Sequence, residues 1–427
     1  MELIPYLIVF FGAVNLIRIG LFIIGSDLYD LKESDERKNA DKRGSYPFFT
    51  VVIPAHNEQH TVLRAIDSVF KNDYPRNKLR IVVVDDGSTD QSKQILKAYK
   101  KNYRLKNLFM IFRKSQGKAK ALNTGIKKYA KGKLVMCLDG DSYINPDALK
   151  KASRYFRDDK TIALASNVRI IETGSLLNLI QRIEYIICYQ MKRAHSFFNI
   201  EYIIGGIGST FRREYLAKIG YYDGDTITED IDLTMKILQQ GNKKNRVLYG
   251  SDVISNTESV LSVRDLMKQR FRWKWGRSQT FYKNRNLFFN IDNKFTKLLT
   301  FFYLPYAIFS DFAFFLEPIM IGYIMYVILA YKDFLTLLSA IAVISLYLSA
   351  NLVMENTLNW KEKIVLLPLV PSMYLLFYIL SFVEYFALIK MLIKLPSLKS
   401  SLSSKICNWT HVNRQMRTNY RIRSVEI

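Results

Sequence analysis

Six short clusters of acidic, basic and amide side chains could carry chemistry in this 427-residue chain. Asp139-Gly140-Asp141 sets two carboxylates two residues apart around a glycine, which lets the backbone turn and aim oxygens at one point. Hard oxygen ligands suit Mg²⁺ or Mn²⁺, and such an ion would hold a diphosphate and neutralise leaving-group charge. Taken alone, the triplet reads more readily as a surface turn; its company changes that balance. Asp85-Asp86-Gly87-Ser88-Thr89-Asp90 ends an apolar run. Ser88 or Asp90 would cap the following helix, while two adjacent buried acids need partners that the polar edge of a nucleobase would supply. Asn57-Glu58 follows another apolar run. Ser115-Gln116-Gly117-Lys118-Ala119-Lys120 offers glycine, amide donors and a lysine at a helix start, a seat for a diphosphate without the GxxxxGK[ST] spacing. Thr228-Glu229-Asp230 reads as a capped helix start, and one of its carboxylates could also take a proton from an attacking hydroxyl. In Gln269-Arg270-Phe271-Arg272-Trp273 a helix would put Gln269, Arg272 and Trp273 on one face. Arginine there would pair with phosphate and indole would stack on a sugar ring; the rival reading is a basic-aromatic belt at a membrane surface.

The elements that would position these groups form an α/β pattern. Runs 48–54, 79–85, 108–112 and 134–138 are apolar at nearly every position, as in strands buried on both faces of a parallel sheet. Amphipathic stretches 60–71, 90–101 and 117–131 lie between them. Right-handed crossovers would stack these units into an open sheet whose ligands sit beyond the carboxyl ends of the strands. The acidic clusters follow the first, second and fourth runs, where that rule wants them.

Apolar stretches at 3–24, 298–331, 334–354 and 364–389 are long enough to cross a bilayer. The first reads as an anchor with Arg18 facing another helix or marking a local water contact, and the basic residues after it (Lys32, Arg37, Lys38, Lys42, Arg43) predict a cytoplasmic domain. Asp311, Glu317 and Pro318 in the second suggest an interfacial helix over 298–312 before the span; Pro368 and Pro371 suggest a bent entry to the last. The basic tail favours the cytoplasm, whereas three crossings after the domain would put it outside. The organisation expected is a membrane anchor at 1–30, a cytoplasmic catalytic domain at 45–290, interfacial and transmembrane helices at 295–395, and a basic tail at 396–427. The net charge of +24 fits positive-inside topology, membrane lipids and an anionic nucleotide-linked substrate; no compact motif for nucleic acid accompanies it. At 49% hydrophobic the chain is not disordered, and three scattered cysteines with four histidines make neither a disulfide scaffold nor a zinc centre.

In order, the residues 51–58, Asp85 to Ser88, 117–123, Asp139-Gly140-Asp141, Thr228-Glu229-Asp230 and 269–273 resemble the processive, membrane-embedded family-two glycosyltransferases over about 45–395. That group makes cellulose, chitin, hyaluronan and poly-N-acetylglucosamine. Gln181-Arg182-Ile183-Glu184-Tyr185, Thr228-Glu229-Asp230 and Trp409-Thr410 are most similar to bacterial poly-β-1,6-N-acetylglucosamine synthases. The chain departs from that subgroup in its single N-terminal helix and its glycine-rich 205–210 segment, and its tail is too short for a PilZ-like domain. The resemblance implies a GT-A fold between N- and C-terminal transmembrane helices in the plasma membrane. It implies a UDP-sugar donor, UDP-N-acetylglucosamine foremost, a growing polysaccharide acceptor, direct inverting displacement, a polymer channel and room for a small accessory membrane subunit. Carried over, Asp86 is the uracil-contacting acid, with Pro54 and Glu58 lining that pocket and Lys118 on the donor. Asp139 and Asp141 hold Mg²⁺ or Mn²⁺, Asp230 is the base beside Glu229, and Gln269, Arg272 and Trp273 serve the acceptor and diphosphate.

Three other readings compete: a hyaluronan or chitin synthase, an enzyme adding one sugar to a lipid, and an inactive scaffold. The 269–273 motif favours processivity, and acids kept at every motif position argue against an inactive scaffold.

Overall fold

The computed structural model describes residues 3–40, 46–103, 106–355 and 357–403. The expectations for Lys42, Arg43, Trp409-Thr410 and most of the basic tail lie outside the described residues. The chain starts with one helix, α1 (Leu3–Ala40), followed by β1 (Phe49–Ala55), α2 (Val62–Phe70), β2 (Leu79–Asp85), α3 (Ser92–Tyr103), β3 (Leu108–Phe112), α4 (Lys118–Tyr129) and β4 (Leu134–Cys137). These strands and helices match the expected runs to within one or two residues. Then come β5 (Tyr143–Ile144), α5 (Ala148–Tyr155), β6 (Thr161–Ile170), α6 (Leu176–Phe197), β7 (Ser209–Arg212), α7 (Arg213–Lys218), α8 (Glu229–Leu238), β8 (Arg246–Thr257) and α9 (Val263–Lys283).

The strands form one eight-stranded sheet in the order β3-β2-β1-β4-β7-β6-β8-β5. β3, β2, β1 and β4 run parallel; β7 enters antiparallel between β4 and β6, and β6 pairs parallel with β8. The apolar strands are buried on both faces because alternate residues serve different cores. Val52, Val82 and Val84 pack on α4, whereas Val51, Ile53, Ile81 and Val83 join the core under α2 and α3. The register sets Pro54 beside Val84 and Ala55 beside Asp85, and Leu138 N donates to Val52 O at 3.0 Å. The carboxyl ends of β1, β2 and β4, with the acidic turns behind them, therefore meet at one edge of the sheet.

Four helical segments are long and apolar enough to cross a membrane: Ile4–Ser34, Leu298–Tyr331, Phe334–Met354 and Trp360–Leu402. They make this a membrane protein. α1 continues well past the expected boundary near 30, and its second half belongs to the domain: Tyr29 is buried and its hydroxyl donates to Tyr249 O at 2.6 Å. Arg18 faces another helix, with its guanidinium over the rings of Phe22 and Tyr306. After α9 the chain makes a π-helical turn (Leu298–Tyr303) and runs directly into α10 (Leu304–Tyr331). The break expected near 312 does not occur. Of the residues that suggested it, Asp311 is paired with Lys274 and Arg277 of α9 and so needs no interfacial water, and Pro318 lies inside the continuous helix. α11 (Phe334–Met354) and the short α12 (Trp360–Leu366) follow, and Asn359 and Glu362 close a capping box at the start of α12. A 3₁₀ turn at Leu367–Leu369 joins α12 to α13 (Val370–Lys394), with prolines at first-turn positions that a helix tolerates, and α14 (Leu398–Ser403) closes the described chain.

Candidate active site

The turns beyond β1 and β2 lock each other. Asp85 Oδ1 accepts from Ser88 N at 3.0 Å, and Asn57 Oδ1 accepts from Thr89 N at 2.7 Å. Glu58 lies at the start of α2, with its Oε2 accepting from Thr61 Oγ1 at 2.7 Å. A Cβ on Gly140 would come within 3.1 Å of Glu58 Cγ and 3.2 Å of Pro54 O, so Pro54, Glu58 and the 139–141 turn are packed together. Asp86 differs from the sequence reading, in which it faces a nucleobase. It is fully buried, accepts from Gly117 N at 2.8 Å and Gln116 N at 3.0 Å, and pairs with Arg113 Nε at 3.0 Å. The reason is local: the 113–117 loop crosses directly over the end of β2, and its amides need an acceptor. Asp86 thus shapes the loop that presents Lys118.

Lys118 is the first residue of α4. Its Nζ lies 2.7 Å from Asp139 Oδ1 and 3.2 Å from Glu229 Oε1. Burial works against its charge, but Asp139, Glu229 and Asp230 outweigh it and hold the ammonium well above its ordinary range. Asp139 is a half-buried acid that pairs with this ammonium, and its oxygens fit a hard divalent cation or a cationic side chain equally. Asp141, two residues on, accepts from Ser142 Oγ at 2.8 Å, and its backbone carbonyl accepts from Arg64 at 3.1 Å. By donor type the two carboxylates could hold Mg²⁺ or Mn²⁺. A different acidic cluster, Asp223, Asp225 and Asp232, converges more tightly, but Lys283 Nζ occupies its centre at 2.8, 2.8 and 2.7 Å.

α8 starts at Glu229 with Thr228 in the capping position, yet the Thr228 side chain makes no capping hydrogen bond. It is turned onto α9 instead: a Cβ on Gly276 would lie 2.4 Å from Thr228 Cγ2, so only glycine lets α8 and α9 come this close. Asp230 keeps one local bond, accepting from Ile231 N at 2.9 Å. Burial first, and the neighbouring Glu229 second, raise its carboxyl from the ordinary 3.8 to about 6, although Lys118 and Arg272 pull the other way. That value suits a group that must take a proton near neutral pH.

These groups face a cavity of about 410 Å³. Lys118, Asp139, Thr228, Glu229 and Asp230 line one side, and Gln269, Arg272 and Trp273 of α9 line another, so seven of the sequence-predicted residues share it. Pro54, Glu58 and Asp141 lie at the adjoining sheet edge, and Asp86 stands behind the Lys118 loop. The reading of α9 as a surface belt omits Arg270, which is buried and pairs with Glu184 of α6 at 2.6 Å and Glu384 of α13 at 3.4 Å. Gln181, Glu184 and Tyr185 of α6 also line the cavity; the sequence marks them as similar to the synthases without assigning them a wall. The glycine-rich segment before β7 has a structural cause: Gly208 has φ +67°, and a Cβ there would lie 2.1 Å from Ser255 Oγ.

Residues 50–220 match the family described as Glycosyl transferase family 2. The chain is 34% identical over 227 residues to a poly-β-1,6-N-acetyl-D-glucosamine synthase of Staphylococcus epidermidis, covering 53% of each protein. It is 32% identical over 231 residues to the enzyme of that name from Staphylococcus aureus strain COL, covering 53% of this chain and 54% of that protein. The chain thus spans about half the length of the curated relatives it matches. Among solved structures, a mannosyltransferase from Pyrobaculum calidifontis in complex with GDP-Man and Mn²⁺ superposes with a TM-score of 0.55 at 20% identity, over 89% of this chain and 97% of that one. At that identity the likeness is one of fold. The mixed sheet and the acidic turns at its carboxyl edge agree with these likenesses: residues 50–220 match glycosyl transferase family 2, within a GT-A-like fold set among apolar helices.

Proposed function

We propose that this protein polymerises N-acetylglucosamine from UDP-N-acetylglucosamine into a β-linked polysaccharide by direct inverting transfer and passes the product into the membrane. The observation that carries the reading is Asp230, raised to about 6, on a cavity with Lys118 and Asp139 on one side and Gln269, Arg272 and Trp273 on the other. The synthase relatives support the choice of sugar, and the carboxyl ends of the parallel strands, where open sheets bind ligands, support the choice of side for the donor. Asp230 takes the proton from the acceptor hydroxyl as it attacks the anomeric carbon, and Glu229 keeps that carboxyl basic. Lys118 leaves Asp139 for the donor diphosphate and, with Arg272, steadies the charge that develops on departing UDP. Asp139 and Asp141 would hold Mg²⁺ or Mn²⁺, which would add neutralising charge at the diphosphate. Pro54 and Glu58 border the nucleotide, and Trp273 offers a face for the acceptor sugar. The domain, about 45–290, lies in the cytoplasm under the positive-inside rule, with 295–395 forming the membrane path.

The test is UDP release by the protein in nanodiscs with Mg²⁺ or Mn²⁺ and, separately, UDP-N-acetylglucosamine, UDP-glucose or UDP-glucuronate. Release with the first alone and a long product on a gel is the expected outcome. A product of one added sugar would replace this reading with single transfer, and release with another donor would replace the substrate.

A further inference from the structure

Two acids stand where an apolar helix tolerates them poorly: Asp311 in α10 and Glu384 in α13. Both reach to α9. Lys274 Nζ lies 3.0 Å from Glu384 Oε2 and 3.3 Å from Asp311 Oδ1, Arg277 pairs with Asp311, and Arg270 Nε lies 3.4 Å from Glu384 Oε1. Arg270, Lys274 and Arg277 follow the i, i+4, i+7 spacing of one helical face. A neighbouring face of α9 meets α8, where Gly276 touches Thr228, the residue before Glu229 and Asp230. The two faces are joined through Arg270, whose guanidinium is 4.5 Å from the ring centroid of Trp273. α9 is therefore a spacer: one face is tied to two membrane-type helices and borders the cavity beside Trp273 and Arg272, and another sets the start of α8.

We propose that Glu384 and Asp311 are positioning residues: through Arg270, Lys274 and Arg277 they fix α9 so that Trp273 and Arg272 stay in register with Asp230. The inference rests on the function proposed above and assigns a role within it to two acids of the apolar helices. Glu384 borders the cavity on its α9 side, whereas Asp139 pairs with Lys118 on the other, so the donor side should feel Glu384 and Asp311 mainly through α9. A surface ion pair would contribute little, but these pairs are largely enclosed: the Arg270 side chain is 7% exposed and that of Lys274 13%.

The experiment uses the full chain in nanodiscs with Glu384→Gln, Glu384→Asp and Asp311→Asn. Arg270 keeps Glu184 when Glu384 is neutralised, so Glu384→Gln retains a paired arginine; Asp311→Asn is the second route if it fails to fold. Kinetics are measured on UDP release, and amide hydrogen exchange is followed along α9. The expected result for Glu384→Gln is a kcat about 10- to 100-fold lower, with donor KM within about twofold. Product would be shorter, α9 exchange would rise while β1 and β2 stay protected, and Glu384→Asp would recover part of kcat. A folded Glu384→Gln protein with unchanged kcat and product length overturns the proposal. So does a loss of protection spread evenly over the sheet, which is plain destabilisation. If the wild-type protein turns over none of the donors, the functional reading fails by itself. Exchange then still decides the positioning claim: selective loosening of α9 upholds it and unchanged protection of α9 overturns it.

Discussion

Asp230→Asn should separate chemistry from stability. The side chain keeps its size and an oxygen that can accept from Ile231 N, as Asp230 Oδ1 does at 2.9 Å. What it loses is the ability to take a proton, and general-base assistance is worth roughly 10²–10⁴ in rate. The same substitution removes a charge that the fold holds at a cost. A carboxyl raised from 3.8 to about 6 carries about 3 kcal/mol of unfavourable interaction in its ionised form. The sign follows from the direction. The folded protein binds this proton more tightly than the unfolded chain, so below about pH 4 both are protonated and nothing is lost. Between there and pH 6 stability falls as pH rises, and above pH 6 the whole cost is present. Asp230→Asn should therefore melt at the wild-type temperature near pH 4 and about 5–10 °C higher at pH 8, while losing turnover. The assay is paired: melting in nanodiscs at both pH values, and kcat/KM for UDP release from pH 5 to 9. The wild-type profile should rise through an apparent pKa near 6. Equal melting of variant and wild type at pH 8 would refute the claim that this carboxyl is held ionised against its surroundings, and normal turnover would refute its role as base.

Lys118→Met removes a cation that lowers the Asp230 carboxyl, so the acid limb of the pH profile should move above 6, and UDP should bind about 10- to 100-fold more weakly by calorimetry. Gly208→Ala should cost about 2–4 kcal/mol of stability, read by melting, because φ is +67° and the new Cβ would lie 2.1 Å from Ser255 Oγ. Chelation should abolish UDP release and Mn²⁺ or Mg²⁺ restore it, with Asp139→Asn leaving more Mn²⁺ free by electron paramagnetic resonance; full activity in chelator would remove the metal from the reaction.

The first half of the fold was open to sequence reasoning because its strands carry their burial on their surface. Val51 to Ile53 and Ile81 to Val84 are apolar at every position; the second runs straight into Asp85-Asp86, and the first is followed by Asn57-Glu58. β6 and β8 gave no such signal. They bury Ser166, Asn167, Ser251 and Asp252, polar groups whose burial makes sense only once distant partners are in place. Asn167 Nδ2 donates to Ser251 O at 2.9 Å, and Arg154 pairs with Asp252 at 2.8 Å, contacts separated by some 84 and 98 positions. Motif residues were found by type, but direction was not readable. Asp86 and Thr228 illustrate the limit: both sit where a ligand or a cap would want them, and both turn inward, one to loop amides and the other to Gly276.

Asp311 and Glu384 show how the same limit acts in the apolar helices. From sequence, an acid in a long hydrophobic run has two remedies: bring it to water by ending or bending the helix, or bring it a cation. The first can be judged locally, and it led to an expected interfacial break near 312. The second depends on which helix packs alongside, and nothing within 298–331 or 364–389 reveals that. Of the cations, Arg270 was in view within 269–273, where a membrane-surface belt accounts for it equally well, and Lys274 and Arg277 lie just beyond that stretch. Each half of the ion network therefore has a sufficient local explanation, and only the packing of α9 against α10 and α13 makes the two explanations one. An uninterrupted α10 with Asp311 paired to Lys274 and Arg277 is the physical outcome: pairing the charge lets the helix continue, and the continued helix holds α9 where Trp273 and Arg272 face the cavity.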